Sequence, residues 1–188
     1  MTQNENSSPL FLSHYYEATH GPFRNLSNLS LTEAEIVLNS IRQSGTAFAS
    51  RRPGDYLLNR RDVEKQVWQL FIDKGGKPQR QWPHYLIVGE CPWLRSWYQD
   101  GREVRIPLAI FKADIISFTY GDSYPAMRYG DGKPYRGCVY TLAELPFLIE
   151  TYGLPQVWNS DGQHGPERYI EAQVWADEPL LAYLSCEL

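Results

Sequence analysis

The stretch Tyr169-Ile170-Glu171-Ala172-Gln173-Val174-Trp175 constrains the fold more than any other part of the chain. Ile170, Ala172 and Val174 alternate with Tyr169, Glu171, Gln173 and Trp175. A period of two is that of a half-buried β-strand. It puts Glu171 on one face, between Tyr169 and Trp175. A carboxylate suits a strand poorly and rarely sits among aromatic rings without a partner or a task. Glu171 is therefore the leading candidate for chemistry.

The remaining pattern predicts an α+β domain. Leu10–Tyr16 reads as a short strand after a polar, disordered tail over 1–8. Ser30 and Glu33 form a capping-box pair ahead of Ala34, Val37, Leu38 and Ile41, spaced as one face of a helix that Gly45 ends. A second helix spans Pro53 to Lys74, with Tyr56, Val63, Val67, Leu70 and Phe71 as its apolar stripe. Strands follow at His84–Glu90, Val104–Phe111 and Ile115–Tyr120, and Pro107 marks the middle one as an edge or bulge. Gly121–Gly137 reads as a long functional or mobile loop. Thr141 and Glu144 repeat the capping-box spacing before a helix to Tyr152, and Asn159–Gly162 is a turn ahead of the last strand. Helices and strands cluster rather than alternate. That order implies a mostly antiparallel sheet with two N-terminal helices and one helix before the last strand, in one globular domain over 9–188.

Composition narrows the function classes. A net charge of −4 argues against non-specific binding to nucleic acid or membrane surfaces. Arg51, Arg52, Arg60 and Arg61 form a local basic patch, read as a solvated helix face interleaved with Asp55, Asp62 and Glu64. Cys91, Cys138 and Cys186 are odd in number and widely spaced, so neither a disulfide framework nor a Cys-rich zinc site is expected. The N-terminal MTQNENSSP has no leader-like pattern, and no apolar run approaches membrane-spanning length; a cytoplasmic protein is the expectation. There is no GxGxxG, P-loop, GxSxG or HxxxH pattern. Thirteen Tyr and six Trp favour sites where one end of a side chain is wet.

One constellation stands out. His14 lies on the first strand, Ser117-Phe118-Thr119-Tyr120 on a middle one, and Glu171 on the last. The order His, Ser-x-Thr, late strand Glu resembles the ADP-ribosyltransferase superfamily, whose mixed α/β domain binds NAD without a Rossmann motif. The resemblance implies NAD as cofactor. His14 would hold a ribose hydroxyl, Ser117 and Thr119 would line the nicotinamide pocket, and Tyr120 or Tyr124 would stack on the ring. Glu171 would stabilise the oxocarbenium-like transition state, where a fixed carboxylate is worth several kcal/mol. Tyr169 stands where that superfamily often has Glu or Gln. On this reading His14, Thr119 and Glu171 converge on one cleft.

Three longer segments, Phe23-Arg24-Asn25-Leu26, Pro83 to Trp93 and His164 to Glu171, resemble an uncharacterised bacterial protein family over nearly the whole chain, which implies a single bacterial domain. Two rival readings accompany the NAD reading. One is a non-enzymatic interaction or ligand-binding module using Trp93, Trp97, Tyr98 and the 121–137 loop, with Glu171 paired to Arg128, Arg136 or Arg168. The other is a metal-dependent hydrolase or nuclease built on Glu90, Asp114 and Asp122.

Overall fold

In the computed structural model, which describes residues 11–45 and 48–184, one six-stranded sheet is covered by helices on both faces. The strands are β1 (Phe11–Glu17), β2 (His84–Val88), β3 (Gly101–Pro107), β4 (Ile116–Tyr120), β5 (Tyr140–Thr141) and β6 (Ile170–Val174). Their order is β3-β1-β2-β6-β4-β5, every pair antiparallel. The α+β class and the antiparallel sheet are therefore as the sequence implies. The polar segment 1–8 and Cys186 lie outside the described residues.

Helix α1 (Leu31–Ser44) begins where the sequence says it should. Ser30 Oγ accepts from Glu33 N, and Glu33 Oε2 accepts from Ser30 N at 2.9 Å, so two otherwise orphaned donors are satisfied together. Gly45 ends the helix in the left-handed region. Helix α2 (Tyr56–Asp73) lays Val63, Val67 and Phe71 on the sheet, with Phe71 stacked on Trp175 at 6.2 Å between ring centroids. The short α3 (Pro92–Arg95) follows β2. Helix α5 (Leu145–Tyr152) packs on the opposite face, where Leu145 and Leu148 join Leu86, Phe118, Ile170 and Val174 in the largest apolar cluster. A short α6 (Pro155–Trp158) leads into the turn before β6.

The structure corrects four local expectations. Strand β6 is buried along its whole length rather than half-buried, because β2 and β4 flank it and helices cover both faces. Period two identifies the two faces but not what covers them. Strand β3 ends at Pro107 and turns into a 3-10 helix, and it does form a sheet edge. The 121–137 segment contains a helix, α4 (Ser123–Arg128), capped by Asp122, whose Oδ1 accepts from Tyr124 N at 2.8 Å. Thr141 does not cap a helix. It pairs with Ser117 in the sheet, its N–H and hydroxyl both donate to Glu144 Oε2, and α5 starts only at Leu145. No helix among the described residues is long and apolar enough to cross a membrane.

Candidate functional site

The register of the sheet decides which side chains can meet. Thr119 opposes Glu171 and Ser117 opposes Gln173 across β4 and β6. Tyr85 opposes Gln173 across β2 and β6. These residues and Trp175 share the face under α2 and α4. His14 and Tyr120 carry the opposite parity: His14 stands next to Ser13 and so points away from the face of Ser13, Ile87 and Glu171, and Tyr120 neighbours Thr119. The NAD expectation needs His14, Ser117, Thr119, Tyr120, Tyr124 and Glu171 around one cleft. The sheet separates His14 and Tyr120 from the others.

Each separated residue has a structural partner. Tyr120 is fully buried, and its hydroxyl donates to Tyr152 O at 2.6 Å and accepts from Trp158 Nε1 at 3.1 Å. His14 Nε2 accepts from Phe23 N at 2.8 Å, so the proton resides on Nδ1, which donates to Tyr85 O at 2.9 Å. Phe23 is the one non-glycine residue described with positive φ, at 60°, and its ring stacks on the imidazole at 4.5 Å. A neutral imidazole thus holds a strained turn. Burial lowers the His14 pKa to about 4, the Tyr85 carbonyl opposes the shift, and His84 adds to it. The unfolded chain therefore takes up a proton first as pH falls, and this contribution is complete above about 6.5 and lost toward about 4. In denaturant melts, the stability difference between wild type and His14→Gln should shrink by up to about 3 kcal/mol from pH 7 to pH 4. A constant difference would show that His14 takes up a proton in the fold as readily as in the unfolded chain.

The face under α2 and α4 carries a continuous row of buried polar groups. Trp175 Nε1 donates to Ser117 Oγ at 2.9 Å, and Ser117 donates to Gln173 Oε1 at 2.9 Å. Gln173 Nε2 donates to Thr119 Oγ1 and to Glu171 Oε1, each at 3.0 Å. Thr119 Oγ1 donates to Gly121 O at 3.0 Å. Ser117, Thr119 and Gln173 are thus fully used inside the protein, and they fix Glu171 rather than face a ligand.

Glu171 keeps 6% of its surface. Its Oε1 accepts from Gln173 and from Ser123 N at 3.3 Å, the first residue of α4. Oε2 takes no hydrogen bond among the described residues and is not one of the sealed polar atoms of the interior. Arg128, Arg136 and Arg168 do not pair with it: they engage Asp62, Asp131 with Glu167, and Ser160 O with the Trp93 ring. Burial pushes the Glu171 pKa up to about 8, and the charge of Asp122 adds to the shift. The bonds from Gln173 and Ser123 and the charge of Arg60 oppose it. Asp122 Oδ2 accepts from Tyr169 OH at 3.2 Å, and burial holds that phenol well above the usual tyrosine range. A carboxyl whose pKa is raised by burial therefore stands beside Asp122, and both are oriented by neighbours.

Sequence reasoning missed the other half of the site. Glu64 is buried within α2, where its Oε1 accepts from Ser27 Oγ at 2.8 Å, Arg60 Nε at 3.0 Å and Tyr85 OH at 2.7 Å. Arg60 also donates to Tyr56 OH and Asn25 Oδ1. Arg61 donates to Leu29 O, and Arg52 lies over the Tyr56 ring at 4.4 Å. Of the four arginines read as a solvated patch, only Arg51 is exposed. The signal available was Glu64 at i+4 from Arg60, on the side of α2 next to Val63 and Val67.

The carboxylates of the metal-site reading are dispersed. Glu90 pairs with Arg105 at 2.6 Å, Asp114 lies 3.8 Å from Lys77, and Asp122 caps α4. No group of three or more His, Cys, Asp or Glu among the described residues is placed to hold a metal ion. Comparison of the chain with protein-family models, curated proteins and solved structures finds no match.

Proposed function

We propose that Glu171 and Asp122 are the acid–base pair of a small-molecule site on the face of the sheet under α2 and α4. The observation that carries this reading is the asymmetry of Glu171: Oε1 is held by two donors while Oε2 is left open beside a second carboxylate. Glu64 is bonded on one oxygen as well, with three donors on Oε1 and none on its enclosed Oε2, but it is paired with Arg60, and Glu167 is paired with Lys133 and Arg136, whereas Glu171 has no cation partner among the described residues. A carboxyl kept protonated near neutral pH is suited to donate a proton to a leaving group, and a neighbouring carboxylate is suited to accept one.

Cleavage of an N-glycosidic bond, the NAD chemistry suggested by the sequence, lies within the reactions such a pair can serve. In that case Glu171 acts with Asp122, Tyr169 and the arginine-rich end of α2, and Tyr124, half-exposed on α4, is the one member of the expected ring stack on the same side. The test is a turnover assay with NAD and a set of chromogenic glycosides. Wild-type protein should process at least one, and Glu171→Gln and Asp122→Asn should each lose roughly 100-fold or more, the usual contribution of a positioned acid or base. Turnover that survives in Glu171→Gln, or wild-type protein inert toward the whole set, removes the proposal and leaves the interaction-module reading ahead.

A further inference from the structure

The buried polar row beneath α2 and α4 runs in one direction. It starts at Trp175, whose indole is packed among Val63, Val67, Phe71 and Val139. An indole N–H donates and cannot accept. Ser117 Oγ accepts from it at 2.9 Å, so the Ser117 proton is directed to Gln173 Oε1, also at 2.9 Å. The far end fixes the same amide independently. Gly121 O can only accept and takes the Thr119 hydroxyl proton, so Thr119 Oγ1 receives an N–H from Gln173 at 3.0 Å. Both ends turn the Gln173 carbonyl toward Ser117 and its NH2 toward Thr119 and Glu171. The reversed amide would set its oxygen against Thr119 Oγ1 and Glu171 Oε1, which offer it no hydrogen. Trp175, Ser117, Thr119 and Gln173 have no exposed surface, so this orientation is set wholly inside the protein.

Glu171 Oε1 therefore meets two donors that cannot take a proton, the Gln173 N–H at 3.0 Å and the Ser123 N–H at 3.3 Å. A hydroxyl at Oε1 would point its hydrogen at theirs and leave all three without an acceptor. We infer that Gln173 is a positioning residue that confines the transferable proton of Glu171 to Oε2, the oxygen that accepts no hydrogen bond among the described residues. The use of that proton rests on the acid–base reading; its place does not. The core under α2 is thereby coupled to the site: the packed indole sets Ser117, Ser117 sets the amide, and the amide sets the carboxyl. The titratable and charged groups about that carboxyl are Asp122 at the head of α4, Tyr169 two residues before it, Tyr85 on β2 and Arg60 on α2. None of them bonds to Oε1.

The test is infrared difference spectroscopy of the full chain, wild type minus Glu171→Gln, at about pH 6, where Glu171 is protonated and ordinary carboxylates are not. A hydrogen bond to a carbonyl oxygen lowers its stretching frequency. With the proton on Oε2 the carbonyl oxygen is Oε1, which accepts two such bonds, so the wild-type band should lie at the low end of the protonated-carboxyl range. Gln173→Met keeps the volume and removes the donor, and the band measured in that background, with and without Glu171→Gln, should move to higher frequency. In the turnover assay the same variant should lose about tenfold or more in kcat with KM nearly unchanged. The alkaline limb of its pH profile should move up, because the Gln173 bond opposes the raised Glu171 pKa. A side chain that only fills space would leave both band and limb where they are. A wild-type band at the high, unbonded end, or one that Gln173→Met leaves unmoved, overturns the inference while the acid–base pair stands. A difference spectrum without a protonated-carboxyl band removes both. The expected band in a protein inert toward every substrate would keep the place of the proton and remove its use. If Gln173→Met fails to fold, the wild-type band decides.

Discussion

Glu167→Ala should be the most destabilising single change at a charged residue, costing about 3–5 kcal/mol and lowering the melting temperature by roughly 10 °C. Glu167 has no exposed surface. Lys133 Nζ donates to its Oε2 at 2.9 Å, and Arg136 closes against Oε1, near in distance though out of hydrogen-bond alignment. Arg136 is also held by both oxygens of Asp131 at 2.8 Å. The Arg136 bond keeps the Asp131 pKa well below the usual range, and Asp131 and Glu167 hold the Arg136 guanidinium firmly charged against its burial. Without Glu167 the cluster keeps two cations and one carboxylate, with one cation buried. The two pairs are not equal. The Lys133 side chain is 32% exposed and its contribution is screened, whereas that of Arg136 is 7% exposed. Lys133→Ala should therefore cost no more than about 1 kcal/mol. Glu167 also fits closely under Gly121, where an added Cβ would lie 3.3 Å from its Cγ and where φ is +90°. Chemical denaturation measures the losses, and amide hydrogen exchange over residues 129–137 should speed up in Glu167→Ala before the sheet opens. A loss below about 1 kcal/mol would mean that the cluster is wet and that its charges are solvated independently.

What the sequence reveals is what is local. The Ser30–Glu33 box and the Val63, Val67, Phe71 stripe depend on residues a turn or two apart, so spacing alone finds them. The alternation in β6 likewise reports two faces. It does not report that β6 is central, because its neighbours come from residues 84–88 and 116–120. Two strands that are both legible can still present their side chains to opposite sides, as His14 and Glu171 do, since parity is fixed by pairing through β2. A six-residue helix with an internal proline, such as α4, is too short to leave a periodic trace. Glu171 was legible as a misfit in a strand. Asp122 was legible as a candidate carboxylate but not as a helix cap beside Glu171, and Arg52 and Arg60 were legible only as a basic patch, because a cation lying on a ring and a buried ion pair look in sequence like an ordinary polar surface.

Glu171→Gln should leave the fold intact and change how its stability depends on pH. The Glu171 pKa in the fold is raised from 4.5 to about 8, first by burial and then by Asp122. A raised value means that folding favours the protonated form. The stabilising contribution is complete below about pH 4.5 and is lost as pH rises through about 8. Gln cannot titrate, yet its side-chain oxygen can still accept from Ser123 N and Gln173 Nε2, the two bonds that Oε1 accepts. The stability of wild type relative to Glu171→Gln should therefore fall by about 2–4 kcal/mol between pH 5 and pH 8, with the variant favoured at the alkaline end. Asp122→Asn sharpens the test. Asn can still cap α4 through its side-chain oxygen, but it removes the charge that adds to the Glu171 shift, so in that background the same difference should shrink. Parallel curves for wild type and Glu171→Gln across this range would mean that Glu171 is already ionised in the fold. A carboxylate without a proton at neutral pH cannot act as the acid of the pair, and the proposed chemistry would then fail at its first step.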